Sequence, residues 1–331
     1  MTPMMKRRTL LQLAGAAGVT AALPMPALAQ STVLRYGNAG NDTSLSNVFN
    51  KKLSDSLSQQ TNGALSFEIF AGSLGGEKTL LESMSLGSLD VYNGAYTGTR
   101  EFDIFYSPAF FRNGRHAKAV LGTEIGTKAS AVLGQRYGAR LLGVGRLGGY
   151  NLMLTKPVKS LEDIKGMKIR APQIEGCIEG LKHFGALPTP IPFNEIYLSL
   201  QQGIVDGVLT ALSPAVAGKF YEVAKYVVEA DFGLALDKEV ISEASWGALS
   251  ADQQQILTKT FAEMEETSYF EAGLTGKTKD LAAWAAANGA DSVIKLDASS
   301  LAEQLGPLNK RLADEVYGAG SWDMIQSIAD A

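Results

Sequence analysis

An arginine at the end of a short predicted strand is the residue with the clearest chemical use. In the stretch EDIKGMKIRAP (residues 162–172), apolar residues alternate with Lys168 and Arg170, which predicts a strand that ends at Pro172. A guanidinium offers a planar fork that can hold a carboxylate through two hydrogen bonds. A strand-end arginine beside a lysine is also typical of an ordinary solvent-exposed charge. The residues by themselves favour the exposed charge, so the role of Arg170 depends on the rest of the chain.

Residues that could perform catalysis are few and scattered. The two histidines, His116 and His183, lie beside basic residues, and neither has the nearby His, Cys or Asp partners that a metal site requires. Cys177 and His183 could form a nucleophile and base pair, but no local signature surrounds them, and Cys177 is expected to pack as a small apolar residue. The G-x-S-x-G motif of serine hydrolases is also missing from the sequence. We therefore predict a protein that is not an enzyme and needs no metal or cofactor.

A glycine-rich stretch, GVGRLG (residues 143–148), matches the G-x-G-x-x-G motif of dinucleotide-binding folds and follows an apolar strand. Dinucleotide binding requires a helix to begin there, because the helix N-terminus holds the pyrophosphate. The residues that follow, YNLMLTKPV, alternate like a strand instead. We interpret the motif as a false positive and expect tight turns between strands to explain its glycines.

Strands and helices alternate along most of the chain. Three predicted strands and two predicted helices follow one another between residues 34 and 94, and a second run of this kind extends from about residue 150 to VDGVL (residues 205–209). This order predicts parallel sheet covered by helices, in an α/β fold of two lobes with a cleft between them. Tyr92 and Asn93 end the strand LDVYN and Tyr96 follows it, and such sheets open their ligand crevice at this carboxyl end, so these three are pocket candidates.

A long helix is predicted after Ser250. Ser250 and Gln253 form a capping box, and no proline occurs between them and residue 307. A helix from there to about Ala287 would be about 55 Å long at 1.5 Å per residue. Such a helix must span both lobes, or break at its weak points, Gly273 and Gly276.

The first residues have the features of an export signal. A basic KRR (residues 6–8) precedes a mildly apolar run, residues 13–23, and then the small-residue triplet ALA (residues 27–29). These features predict a twin-arginine signal peptide, residues 1–29, that is cleaved after Ala29. The apolar run is too short to span a bilayer, and no second run of about 20 apolar residues follows. We expect an exported protein without direct membrane insertion.

Composition limits the possible partners. Without the predicted signal the chain has 302 residues, with 27 basic and 34 acidic side chains and a net charge of −7. This length is enough for two domains, and the negative charge argues against nucleic acid or an anionic membrane surface as a partner. Cys177 is the only cysteine, so a disulfide within the chain is impossible.

Three stretches, taken together, resemble a known family. KPVKSLEDIKGMKIRAP and GALPTPIPFNEIYLSLQQGIVDGV are similar to the DctP-type periplasmic solute-binding proteins of TRAP transporters, and TNGALSFEIFAGSLGGEKTLLESMSLGSLDV is similar to the family's first-lobe pattern. The resemblance covers nearly the whole mature chain. It implies a two-lobed periplasmic binding protein (Venus-flytrap) fold with a central ligand cleft and a long helix spanning both lobes. Lobe I would comprise residues 30–147 plus 236–275, and lobe II residues 148–235 plus 276–331.

The resemblance also implies which residues bind ligand. In this family the arginine at the position of Arg170 points into the cleft and pairs with the carboxylate of the ligand. Tyr150 stands where many members have a second arginine, which favours a monocarboxylate, such as a keto, hydroxy or aromatic acid, over sialic acid or a dicarboxylate. The remaining candidates implied by position are Phe193, Gln173, Thr210 and Glu77.

The function implied is capture of an organic acid in the periplasm and its delivery to a TRAP membrane permease driven by an ion gradient. Two alternatives remain open here, the binding protein of an ATP-driven importer and a secreted enzyme. The predicted long helix is a TRAP-family feature and argues against the first. The lack of a paired His, Cys and carboxylate constellation argues against the second.

Overall fold

The computed structural model describes residues 31–229, 232–266, 271–297 and 299–330. The predicted signal peptide lies outside these ranges. Among the described residues, no helix combines the length and the apolar character needed to cross a membrane.

Ten strands and thirteen α-helices occur within the described ranges. The strands are β1 (Thr32–Asn38), β2 (Leu65–Ala71), β3 (Val91–Gly94), β4 (Ala139–Leu154), β5 (Lys168–Ala171), β6 (Leu187–Pro190), β7 (Gly207–Ala211), β8 (Tyr226–Glu229), β9 (Leu234–Ser242) and β10 (Val293–Lys295). The helices are α1 (Leu45–Gln60), α2 (Glu77–Ser85), α3 (Arg100–Asp103), α4 (Gly114–Leu121), α5 (Glu124–Tyr137), α6 (Glu175–His183), α7 (Ile196–Gln201), α8 (Leu212–Ala217), α9 (Glu243–Ala248), α10 (Ala251–Met264), α11 (Glu271–Asn288), α12 (Leu301–Tyr317) and α13 (Ser321–Ser327).

The strands form two sheets that share β4. The first has the order β2-β1-β3-β9-β4, in which β1 is parallel to β2 and β3, whereas β9 is antiparallel to β3 and β4. The second has the order β10-β8-β4-β7-β5-β6, in which β5 is parallel to β6 and β7, whereas β4 is antiparallel to β7 and β8. The parallel sheet predicted in each lobe is therefore confirmed, and two long antiparallel strands, β4 and β9, are added to it.

The turns predicted for the glycine-rich stretch 143–148 are wrong, because β4 runs through it as one continuous strand. Its pairing with β9 shifts register between Leu141 and Gly143 and again between Arg146 and Gly148. Such bulges bend a strand without ending it. Gly143 is needed for packing, since a Cβ there would overlap the ring of Phe261 on α10.

β4 changes sheets just before Tyr150. Residues 139–149 pair with β9, whereas Tyr150–Leu154 pair with β7 and β8. Tyr150 N also donates to Gly233 O at 2.8 Å, and Phe232 N donates to Tyr150 O at 2.9 Å, which ties the start of β9 to the same point. At the point where β4 passes from one sheet to the other, both backbone polar groups of Tyr150 are therefore hydrogen-bonded to the segment before β9.

The predicted helix after Ser250 is present as α10 and α11. The capping box of Ser250 and Gln253 starts α10 as predicted. α10 packs on the first lobe, where Phe261 lies edge-on to Phe49 with ring centroids 5.8 Å apart. α11 packs on the second, where Trp284 Nε1 donates to Lys225 O at 3.1 Å. The two helices thus reach both lobes, and the junction at residues 267–270 lies outside the described ranges.

Candidate ligand-binding site

A cavity lies between the two lobes, where the carboxyl ends of β1, β3, β5 and β7 meet. It encloses about 550 Å³ of space, part of it open to solvent. The lining residues are Asn38, Ala39, Gly40, Ser44, Ser46, Glu77, Gly94, Ala95, Leu147, Tyr150, Arg170, Pro172, Phe193, Thr210, Ala211, Pro214, Ala235 and Asp237.

Arg170 lines this cavity from the end of β5 and is only 3% exposed. The interpretation of Arg170 as an exposed strand-end charge is therefore wrong. Its Nε donates to Ile191 O at 2.8 Å and its Nη1 donates to Leu209 O at 3.1 Å. Burial lowers the pKa of Arg170 to about 10, so the guanidinium is still charged at neutral pH. These two carbonyls hold the guanidinium in place and leave three of its five N–H groups for other acceptors.

Glu77 is fixed in the opposite wall by the loop after β3. It is the first residue of α2, and its Oε1 accepts hydrogen bonds from Ala95 N at 2.7 Å and Tyr96 N at 3.2 Å. The Tyr92 hydroxyl lies 3.3 Å from the same oxygen and 2.8 Å from Tyr96 O. Gly94 permits this arrangement, since a Cβ there would lie 2.6 Å from Glu77 Oε1. The carboxylate is therefore part of a rigid wall.

The structure brings five of the nine sequence candidates to the cavity, namely Arg170, Tyr150, Phe193, Thr210 and Glu77. Two more, Gln173 and Tyr96, line an adjoining cavity that Arg170 and Glu77 also border.

The last two candidates, Tyr92 and Asn93, are fully buried and belong to the lining of neither cavity. They lie one layer behind the wall. There the Tyr92 hydroxyl contacts Glu77, and Asn93 accepts a hydrogen bond from Asn38.

Asn38 holds the loop after β1, and sequence reasoning missed it. Its Nδ2 donates to Asn93 Oδ1 at 2.7 Å, and its Oδ1 accepts from Gly40 N at 2.7 Å and from Asn47 Nδ2 at 3.2 Å. Asn47 Nδ2 also donates to Gly40 O at 2.8 Å. The backbone of this loop therefore forms a fixed polar surface of the cavity.

Sequence reasoning also missed Asp237, which lines the cavity from β9 and accepts a hydrogen bond from Ser46 Oγ at 2.7 Å. A signal was available in the run Asp237-Lys238-Glu239, which lies between apolar residues. All three are buried, at 3%, 0% and 0% exposure. Charged side chains are almost never fully buried unless they are paired or functional, so a charged triplet inside an apolar strand marks a site.

The two lobes touch at the rim of the cavity. Asn41 Nδ2, on the loop after β1, donates to Ala217 O at the end of α8 at 2.9 Å. Thr43 N and Thr43 Oγ1 donate to Asn41 Oδ1 at 3.1 and 2.9 Å, which orients its amide. On the α2 side, a Cβ on Gly76 would lie 3.1 Å from Pro192. The two lobes thus approach each other at two points of the rim.

In the part of the chain that the structure describes, no three His, Cys, Asp or Glu side chains are grouped so that they could hold a metal ion.

Comparison with known proteins places these features in a family. A sequence model of the family "Bacterial extracellular solute-binding protein, family 7" (DctP) matches residues 37–303. A solute-binding protein of Roseobacter denitrificans is 29% identical over 79% of this chain and 81% of its own length. The sialic acid-binding periplasmic protein SiaP of Vibrio cholerae is 27% identical over 76% of this chain and 77% of its own.

Among solved structures, a TRAP periplasmic solute-binding protein from Polaromonas, bound to D-erythronate, superposes with a TM-score of 0.82. The two chains are 24% identical, and the match covers 91% of this chain and 100% of the other. At this identity the likeness concerns the fold, which is the two-lobed α/β architecture expected from the sequence.

Proposed function

The chain belongs to family 7 of the bacterial extracellular solute-binding proteins, and from that premise we propose that it captures a small organic monocarboxylate for a TRAP permease. The resemblance to the DctP-type proteins is confirmed by the family match. Membership in a family of solute-binding proteins also favours solute capture over the secreted-enzyme alternative. The similarity to TRAP solute-binding proteins favours a TRAP permease over an ATP-driven importer as the partner.

The buried guanidinium of Arg170 is the observation that carries the proposal. None of the described carboxylates forms an ion pair with Arg170 within 4.0 Å, although its side chain is almost completely buried. A buried charge without a partner is costly, and a carboxylate that enters the cavity would supply that partner through the remaining N–H groups. Closure of the lobes removes water from this pair and strengthens it.

The charges of the cavity support one carboxylate on the ligand. Tyr150 occupies the position at which the family resemblance places a second arginine, and it lines the cavity as a buried, neutral side chain. Glu77 and Asp237 border the same cavity. A second carboxylate would approach these acidic groups without a cation of its own, so a dicarboxylate is disfavoured.

The rest of the lining supports a hydroxylated or keto acid. Hydroxyl-bearing residues (Ser44, Ser46, Thr210) can bond to ligand oxygens, and the ring of Phe193 offers an apolar face. Phe193 is itself held against Phe220, with ring centroids 5.7 Å apart. The ligand would lie with its carboxylate on Arg170 and its carbon chain towards Phe193.

We place the lobe boundaries at residues 30–147 plus 236–275 for lobe I and 148–235 plus 276–331 for lobe II. The change of partner of β4 at Tyr150 supports the first boundary. The packing of α10 on the first lobe and α11 on the second supports the last.

The family is extracellular or periplasmic, and we propose that this chain reaches the periplasm by a twin-arginine signal cleaved after Ala29, and there meets a permease driven by an ion gradient. Replacement of both arginines of the KRR motif by lysine tests the route. The precursor is expected to stay in the cytoplasm. Delivery of mature protein to the periplasm at the normal level would show that the general secretion route is used.

A ligand panel tests the function. Thermal unfolding is measured with D-erythronate, pyruvate, benzoate, succinate and sialic acid, and small molecules released from protein purified directly from cells are identified by native mass spectrometry. A bound monocarboxylate at 100 times its Kd should add about 2.7 kcal/mol of stability, which corresponds to a rise in Tm of about 4 °C for a chain of this length. A response to succinate alone would refute the single-carboxylate assignment. No response to any acid, together with no copurified acid, would refute carboxylate capture.

A further inference from the structure

Lys238 is a fully buried lysine behind the cavity wall, and the binding scheme above leaves it without a role. It lies in β9, and its Nζ donates to Ala95 O and to the hydroxyl of Tyr106. The ammonium also lies 4.4 Å from the ring centroid of Tyr106 and 5.4 Å from that of Phe102. None of the described carboxylates lies within 4.0 Å of the Lys238 ammonium, so its direct contacts are a carbonyl, a hydroxyl and two aromatic faces.

These contacts fix one peptide unit of the cavity wall. Ala95 lines the cavity, and its N–H donates to Glu77 Oε1 at 2.7 Å, while its carbonyl accepts from Lys238. The Tyr106 hydroxyl lies 3.1 Å from the same carbonyl. Both backbone polar groups of Ala95 are therefore hydrogen-bonded. Lys238 does not line the cavity itself, and it affects the cavity through the position of Ala95.

Several ionisable groups from neighbouring elements face this ammonium: Asp103, Glu77, Asp237, Cys177 and Tyr106. Burial lowers the pKa of Lys238 to about 8, against the attraction of Asp103. Asp103 is itself buried, which raises its pKa to about 7, and its Oδ1 has no hydrogen-bond partner among the described residues. The positive charge of Lys238 therefore depends on its surroundings, and an anion placed beyond Ala95 would favour it.

We propose that Lys238 is a positioning residue of the binding cavity, whose ammonium fixes the Ala95 wall and whose charge adds to the attraction that Arg170 exerts on the ligand. The inference rests on the proposed function, because it needs an anionic ligand. It has a consequence that simple packing would not have. Since the bound anion favours the charged form, binding near pH 8 must draw a proton onto Lys238.

Isothermal calorimetry measures this proton directly. The probe is the panel carboxylate that stabilises the wild-type protein most, titrated at pH 8 in two buffers of different ionisation enthalpy. The wild-type protein is expected to take up a fraction of a proton, at most about one half at a pH equal to the pKa. Lys238→Met should take up none and bind at least tenfold more weakly. Lys168→Met, at an exposed lysine, should match the wild-type protein in both respects.

Two more variants test whether Lys238 itself takes up the proton. Lys238→Arg keeps a charge that does not titrate, so it should bind the ligand without proton uptake. This variant also provides the test if Lys238→Met folds poorly. Glu239→Gln, which removes the neighbouring carboxyl group of β9, should keep the uptake. Wild-type uptake in Lys238→Arg, or full affinity in Lys238→Met, would overturn the role of Lys238 and leave carboxylate capture intact. If no carboxylate binds the wild-type protein, the proposed function fails and this inference fails with it.

Discussion

Replacement of Arg170 by alanine should remove most of the affinity for the ligand and little of the stability. A bidentate carboxylate pair consists of two charge-assisted hydrogen bonds of about 1.5–3 kcal/mol each. Its loss leaves the bound carboxylate buried without a partner, so we expect a cost of about 3–5 kcal/mol. At about 1.4 kcal/mol per tenfold change, this is a hundredfold to several-thousandfold rise in Kd. Calorimetric titration with the stabilising panel acid measures it.

The stability of the ligand-free protein should change by no more than about 3 kcal/mol, because two effects oppose each other. Ile191 O and Leu209 O lose their donors in the alanine variant, at about 1–3 kcal/mol each. The fall in the pKa of Arg170 from 12.5 to about 10 shows that its burial is itself costly, by about 3 kcal/mol at 1.36 kcal/mol per unit, and that cost disappears. Urea unfolding without ligand checks this balance.

Lys168 provides the matched control, since it lies two residues earlier in the same strand and is exposed. Lys168→Ala should change the binding free energy by under about 1 kcal/mol. Arg170→Lys should recover only part of the affinity, because a point charge replaces the fork. Equal losses for the alanine variants at 168 and 170, or no loss at 170, would refute the assignment of the carboxylate to Arg170.

Three further predictions concern residues in and around the cavity. Gly94→Ala should destabilise the protein by about 1–3 kcal/mol and weaken binding, because the new Cβ would displace Glu77. Gly247→Ala in α9, where a Cβ meets open space, should be neutral or stabilising, and urea unfolding compares the two variants. Burial raises the pKa of Glu239 to about 8, so the folded protein holds this proton more tightly than the unfolded chain does. The free energy of unfolding of the wild-type protein should therefore fall from about pH 5 to pH 8. Glu239→Gln should flatten that slope, which unfolding curves at pH 6 and 9 measure. Asn41→Ala removes a hydrogen bond between the lobes, so stopped-flow measurement should show ligand dissociation about two- to tenfold faster with an unchanged association rate. Equal dissociation rates in the variant and the wild-type protein would mean that this contact does not hold the closed form.

The features that follow from local periodicity were predictable from the sequence. The alternation around Lys168 and Arg170 and the capping box at Ser250 predicted β5 and the start of α10, and both are present. Arg170 as a cavity residue required the family resemblance, because a strand pattern does not show which strand end faces the cleft.

What could not be predicted depends on contacts between distant residues. The ring of Phe261, more than a hundred positions away in the sequence, leaves no room for a side chain at Gly143, so this glycine serves packing within β4 and not the turn that local rules predicted. Asn38 and Asn93 are 55 residues apart and meet only once β1 and β3 pair. Sequence position at a strand end therefore suggested Asn93 for the pocket but could not show that Asn38 would cover it.

The sharing of β4 between the two sheets has a consequence for how the protein folds. β4 is the edge of the first sheet beside β9, but in the second sheet it lies between β7 and β8. Lobe I keeps most of the part of β4 that pairs with β9, and lobe II keeps the part that lies between β7 and β8, so one continuous strand belongs to both sheets. We therefore expect the two lobes to melt in one cooperative transition, and protease cleavage within β4 to destabilise both lobes.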